Sequence, residues 1–192
     1  MMRLSALPSF LVGLRVGIAP LLVWDALDHG TTAWFLTGYM IAVLSDISDG
    51  IIARRLGVST VQLRQADSWA DMTLYFCVAL STWLIYPAVI TDFAIPLGVA
   101  IAAQLALFAT SLIKFGQLPS FHTFTAKAWG ITLLIATIGL FGFGYAPTLW
   151  LAIAFCVLNS VEEIVMTLVL PEWQHDVLSL VHALKLRDIA KG

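Results

Sequence analysis

The apolar residues of this chain fall into long, nearly unbroken runs separated by short clusters of Gly, Pro, Asp and Thr. Such runs predict membrane-crossing helices, because about 20 apolar residues span a hydrocarbon core roughly 30 Å thick. Six spans are expected: Pro8–Ala26, Thr31–Ala53, Val61–Tyr86, Ile90–Phe115, Thr123–Phe143 and Thr148–Leu170. The first run is expected to be retained as a span, since Arg15 interrupts it and no small-residue cleavage site follows. Beyond Pro171, Trp173, Val177, Leu180, Val181, Leu184 and Ile189 recur at roughly helical spacing beside Asp176, Lys185, Arg187, Asp188 and Lys191. That pattern predicts an interfacial amphipathic helix. The expected fold is an all-α integral membrane protein with six transmembrane helices over residues 1–170 and an amphipathic tail over residues 171–192.

Composition agrees with the pattern. Of the 192 residues, 60% are hydrophobic and only 11% charged, and the mean hydropathy is +0.92. A water-facing surface needs more polar side chains than that, so a soluble domain is excluded and membrane lipids are the surroundings. A net charge of −2 offers no basic face for phosphate neutralisation, so nucleic acid is not an expected partner. Cys77 and Cys156 both lie inside apolar runs and read as packing residues rather than a disulfide or zinc framework.

The ten basic residues set an orientation. The connections Leu27–Gly30, Pro87–Val89 and Gly144–Pro147 contain no Lys or Arg, whereas the basic residues cluster at the other ends of the spans and in the tail. Because positive charge accumulates on the cytoplasmic side, both termini are expected there, in a cell inner membrane.

Charged groups within membrane segments are costly unless they face a polar site, which makes each one a functional candidate. The strongest group straddles spans two and three. Asp46 and Asp49 lie three apart, Asp67 and Asp71 four apart, so each pair shares one helix face. An antiparallel hairpin would bring both pairs together near the cytoplasmic end. Four converging carboxylates repel one another, and a divalent cation relieves that repulsion. An all-oxygen donor set suits Mg2+ or Mn2+ rather than zinc, and two ions could clamp a diphosphate. Gly50 and Ala53 would leave space for a substrate against the helix, with Arg54 at the membrane edge to meet a phosphate oxygen. The bland alternative is a set of solvated carboxylates at helix ends beside arginines that merely follow the charge rule.

The run Asp46-x2-Asp49-Gly50-x2-Ala53-Arg54, followed after twelve residues by Asp67-x3-Asp71, resembles the signature of the CDP-alcohol phosphotransferases. Seven of the eight defining residues stand in order and at the expected spacing. The resemblance implies transfer of a phosphatidyl or related phosphoalcohol group from a CDP-linked donor, such as CDP-diacylglycerol, to an alcohol, with CMP released. It implies that Asp46, Asp49, Asp67 and Asp71 hold two Mg2+ or Mn2+ ions. Asp71 would also deprotonate the acceptor hydroxyl, while Gly50, Ala53 and Arg54 contact the CDP part together with the neighbouring Asp46, Asp49 and Asp67. Leu63 stands where the family has its second glycine, which narrows the expected nucleotide pocket. Ser9 and Val12 stand where relatives often have Asn and Thr. Relatives commonly form homodimers through membrane helices, which brings a second copy of the chain into consideration as a partner.

For the acceptor, the segment between spans four and five supplies Lys114, Ser120 and Lys127, with Arg64 as a further basic residue on the cytoplasmic side. These suit a small phosphorylated alcohol such as glycerol 3-phosphate; a snorkelling lysine pair and a helix cap are the ordinary alternative. In span six, Glu162 and Glu163 require partners, and Arg15 is the expected one. Two other function classes stay open on sequence alone: a small divalent-cation or proton-coupled transporter, and an inactive relative retained as a membrane scaffold. Against the transporter, the aspartates cluster at one end and the spans lack paired midplane breaks.

Overall fold

The computed structural model describes residues 7–57 and 60–189, and they form helices and connections without a strand. In chain order the helices are α1 (Leu7–Ala26), α2 (Ala33–Leu56), α3 (Val61–Ile85), α4 (Pro87–Asp92), α5 (Ala94–Phe115), α6 (Phe124–Phe143), α7 (Leu149–Val169) and α8 (Leu180–Ile189), with a 3-10 turn at Ala146–Thr148. Two compact units divide them, one ending at Ile90 and the other beginning at Thr91.

In the first unit, α1 packs against both α2 and α3. The buried positions explain why. Val12, Arg15, Ile18, Ala19, Leu22 and Ala26 form one stripe on α1; Phe35, Tyr39, Ala42, Asp49 and Ala53 do so on α2; Ala70, Leu74, Cys77, Val78 and Ser81 do so on α3. Each set recurs at three- and four-residue intervals, the spacing of a single helix face. Gly38 marks the close approach of α1 and α2: a Cβ there would lie 3.2 Å from the Leu22 side chain. The α1–α2 connection is closed by Asp25, whose carboxylate accepts from the Thr32 amide at 3.0 Å and hydroxyl at 2.7 Å. At the other end, the Thr60 hydroxyl accepts from the Leu63 amide at 3.1 Å and starts α3.

In the second unit, α7 is central and packs against α5, α6 and α8. Its buried face is apolar at the start, with Ala152, Ile153 and Cys156, and polar further on, with Asn159, Ser160, Glu163 and Thr167. Both α5 and α6 end on left-handed glycines, Gly116 and Gly144, a conformation that costs other residues energy.

Among the described residues, five helical segments are long and apolar enough to cross a membrane: α1, Ala33–Ala53, α5, α6 and Ala146–Val169. Large apolar side chains such as Phe76, Ile113 and Phe143 point outward, as lipid contact requires. The expected third span, α3, is as long as the others but is not among the five; Arg64, Asp67 and Asp71 lie in its first half. Two other expectations change. The segment expected as an external connection after Tyr86 opens with the short helix α4, which Pro87 can begin because the first helical position needs no amide donor. The tail helix begins at Leu180 rather than at Pro171. Before it, the chain is non-helical, and Val177 is buried with Phe121, Met166, Leu170 and Ala183. Part of the apolar face expected at the membrane interface is therefore spent inside the protein.

Candidate active site

The polar centre of the first unit is built from three helices. The face of α2 that continues from Phe35 and Tyr39 turns acidic at Asp46 and Asp49, and the face of α3 ahead of Leu74 does the same at Asp67 and Asp71. Between them, α1 contributes Arg15. Its Nη1 lies 3.0 Å from Asp46 Oδ1 and 3.0 Å from Asp67 Oδ1 and also pairs with Asp71 Oδ1, while Nη2 lies 2.5 Å from Asp49 Oδ2. All four aspartates of the motif thus meet one guanidinium.

The two sides of this cluster differ in access. The Arg15 side chain is 0% exposed and that of Asp49 only 5%, whereas the side chains of Asp46, Asp67 and Asp71 remain 38%, 37% and 35% exposed. Arg15 therefore forms the floor, and the three other carboxylates form a rim open to ligands. One guanidinium cannot neutralise four carboxylates, so the cluster retains an excess of negative charge that attracts further cations.

The donor set fits a divalent ion. One carboxylate oxygen each from Asp46, Asp49 and Asp67 lie within 4.8 Å of one another. Oxygens sharing one Mg2+ stand roughly 3 to 4 Å apart at ligand distances of about 2.1 Å, so small side-chain rotations bring the three into one shell. Asp71 meets the same guanidinium but is not one of the three oxygens in that group. An oxygen-only set of this kind suits a hard divalent cation.

The other expected donor residues lie along the same elements. Gly50 is half-buried beside Asp49, Ala53 is buried one turn further on, and Leu63 is half-buried in the first turn of α3. Arg54 and Arg64 lie on the helical backbone of α2 and α3, and their side chains fall outside the described residues.

The expected acceptor residues Lys114, Ser120 and Lys127 belong to the second unit. The Lys114 ammonium donates to the carbonyls of Thr167, Leu168 and Leu170 at 3.0, 2.8 and 2.8 Å. It caps the end of α7, satisfying carbonyls that a helix terminus leaves free, so acceptor binding there would have to exchange those bonds. The Ser120 carbonyl accepts from the Asp176 amide at 3.2 Å. Lys127 sits over the Phe124 ring at 5.4 Å.

The expected pairing of Arg15 with Glu162 or Glu163 is corrected. Arg15 is committed to the four aspartates, and the two glutamates have hydroxyl and amide partners instead. Glu163 Oε1 accepts from the Thr123 hydroxyl at 3.3 Å, and Glu162 accepts from the Thr125 hydroxyl at 2.5 Å and the Leu180 amide at 3.1 Å. Asn159 Oδ1 lies 2.9 and 3.0 Å from the same two hydroxyls, whose single protons it shares with the glutamates. The signal that finds the true partner is depth. Arg15 stands about as far from the end of α1 as Asp46 from the start of α2, so an antiparallel pair brings them to one level.

Fold and site together define a class: an integral membrane protein whose polar centre is a carboxylate cluster set among its helices. The chain belongs to the CDP-alcohol phosphatidyltransferase family, whose sequence profile matches residues 5–171. That span takes in Arg15 and the whole aspartate motif and stops short of α8. No curated protein and no solved structure matches the chain significantly. Membership defines the chemistry broadly as phosphatidyl transfer from a CDP-linked alcohol.

Proposed function

We propose that the protein transfers the phosphatidyl group of a CDP-diacylglycerol-like donor to glycerol 3-phosphate and releases CMP. One observation carries this reading: Asp46, Asp49, Asp67 and Asp71 converge on a single point within a chain of this family. Asp46, Asp49 and Asp67, with Asp71 as a fourth donor, are the residues to hold two Mg2+ or Mn2+ ions. When bound, such ions supply Lewis-acid neutralisation of the donor diphosphate and of the departing phosphate.

Asp71 is the proposed base. Its exposed carboxylate accepts the proton of the acceptor hydroxyl; the freed oxygen bonds to the phosphorus that carries diacylglycerol. The bond from that phosphorus to the bridging oxygen breaks, and CMP leaves with the oxygen. Small side chains at Gly50 and Ala53 support room for the nucleotide beside α2, with Arg54 next along the chain to meet a phosphate oxygen and Leu63 narrowing the base pocket.

The basic residues at one end of the spans support a cytoplasmic site and cytoplasmic termini in a cell inner membrane. In this reading α3 is the sixth span: its 25 residues rise about 37 Å, and its acidic first half lies at the cytoplasmic surface. Glycerol 3-phosphate is preferred because a basic side chain beside the aspartate motif, Arg64, suits a phosphorylated acceptor.

Mass spectrometry of lipids made by the purified protein from CDP-diacylglycerol, Mn2+ and a mixed pool of glycerol 3-phosphate, inositol phosphate and serine tests the acceptor. Phosphatidylglycerol phosphate is the expected product. A different phosphatidyl product would overturn the acceptor while keeping the transfer.

A further inference from the structure

The position of Arg15 extends the metal-centred reading above and rests on it. A charged side chain this deeply buried among three helices requires compensation, and Arg15 has it from every carboxylate of the motif. Its Nη1 is the atom the site converges on, 3.0 Å from oxygens of both Asp46 and Asp67 and paired with Asp71 as well. An ion bound about 2.1 Å from those same oxygens competes with Nη1 for them and carries charge of the same sign, so the two repel at close range. Like charge sets the two against each other at the rim carboxylates.

We propose that Arg15 is the resident counter-cation of the carboxylate site: it holds the four aspartates together before metal arrives, and Mg2+ or Mn2+ binds by displacing its Nη1 contacts. The asymmetry of the site fits this exchange. Nη1 meets the open rim of Asp46, Asp67 and Asp71, where an ion from solution enters, whereas Nη2 meets Asp49 on the buried floor. Arg15 Nε has no partner among the described residues, so nothing at that atom opposes a swing of the guanidinium about its attachment. Arg15 is accordingly a positioning residue that tunes metal affinity from inside the protein, rather than a group that touches substrate.

The test is Mn2+ binding to the purified full-length protein in detergent, read from the electron paramagnetic resonance signal of free Mn2+, together with thermal unfolding in chelator and in Mn2+. Arg15→Gln removes the competitor, so it is expected to bind Mn2+ at least about tenfold more tightly than wild type. It should also unfold at lower temperature in chelator and gain more from added Mn2+. Unchanged or weaker Mn2+ binding would overturn the proposal. Arg15→Lys covers the case in which the glutamine variant does not fold. A single ammonium cannot span Asp49 and the rim at once, so Mn2+ binding tightens severalfold; affinity equal to or below wild type again contradicts the exchange. If wild type binds Mn2+ and releases CMP but neither variant tightens, only the counter-cation role fails. If the variants tighten and no CMP is released, the transferase reading fails alone. Absence of Mn2+ binding in wild type and variants overturns both.

Discussion

The protein carries two polar centres inside an apolar chain, and they are built on opposite principles. In the first unit, four carboxylates face one guanidinium, and three of them stay open to the outside. In the second, Asn159, Glu162 and Glu163 of α7 receive hydrogen bonds from Thr123, Thr125 and the Leu180 amide. The second centre is a fastener: Thr123 also accepts from the Ala126 amide at 3.0 Å to start α6, so one network fixes the starts of α6 and α8 against α7. The first centre leaves charge uncompensated, which is destabilising by itself; in the proposed function, cations and a diphosphate complete it. The kind of partner separates the two clusters better than burial or composition does: hydroxyl and amide donors that tie helices together in one, a single shared guanidinium with an open rim in the other.

Neutral isosteres break this comparison most sharply. Asp71→Asn keeps size and removes the charge, and is expected to lower CMP release by about a thousandfold or more, since in the proposed function it removes both a metal donor and the base. Size-exclusion chromatography of the variant should remain that of wild type. Glu163→Gln makes the same chemical change in the other centre, where the partner is the Thr123 hydroxyl and an amide oxygen accepts equally well. Its activity should stay within about threefold of wild type. Equal losses in the two variants would remove the distinction.

Deleting an acceptor from the fastener has an intermediate effect on stability. Asn159→Leu leaves the Thr123 and Thr125 hydroxyls short of the oxygen they share, at a cost of roughly 1 to 3 kcal/mol, seen as a lower unfolding temperature in detergent. Gly139→Ala is expected to cost about as much, roughly 1 to 3 kcal/mol, because its Cβ would lie 2.5 Å from Thr148 Oγ1 where the 3-10 turn meets α6. Thr60→Ala removes the cap of α3 and should cost about 1 kcal/mol, the smallest of these changes, measured in the same unfolding experiment.

Much of the fold was legible because hydrophobic run length and helix length share one physical cause. The expected spans ending at Ala26, Phe115 and Phe143 end there in the structure, and α3 begins at Val61 as expected. The tail was misread from a coincidence of spacing. Trp173 and Val177 recur at a helical interval, yet Val177 is buried by a non-helical segment that packs against α7, and periodicity does not distinguish those cases. The convergence of the four aspartates was readable from two i, i+3 and i, i+4 pairs on neighbouring helices. The partner of Arg15 is readable by the same depth argument applied to the neighbouring helix, where Asp46 stands at its level; pairing it with span six passes over that nearer and larger unbalanced charge. Lys114 shows the same limit: its basic character suggested a ligand, whereas its position beside the end of α7 gives it three carbonyls.

The central claim is that the carboxylate cluster is a divalent-metal site for cleavage of a CDP-linked lipid. The most direct measurement is CMP release from CDP-diacylglycerol and glycerol 3-phosphate by the purified protein, first with chelator and then with Mg2+ or Mn2+ restored. The account predicts no release in chelator and full recovery on adding either ion. CMP release that continues unchanged in chelator, or none under any metal, would contradict it.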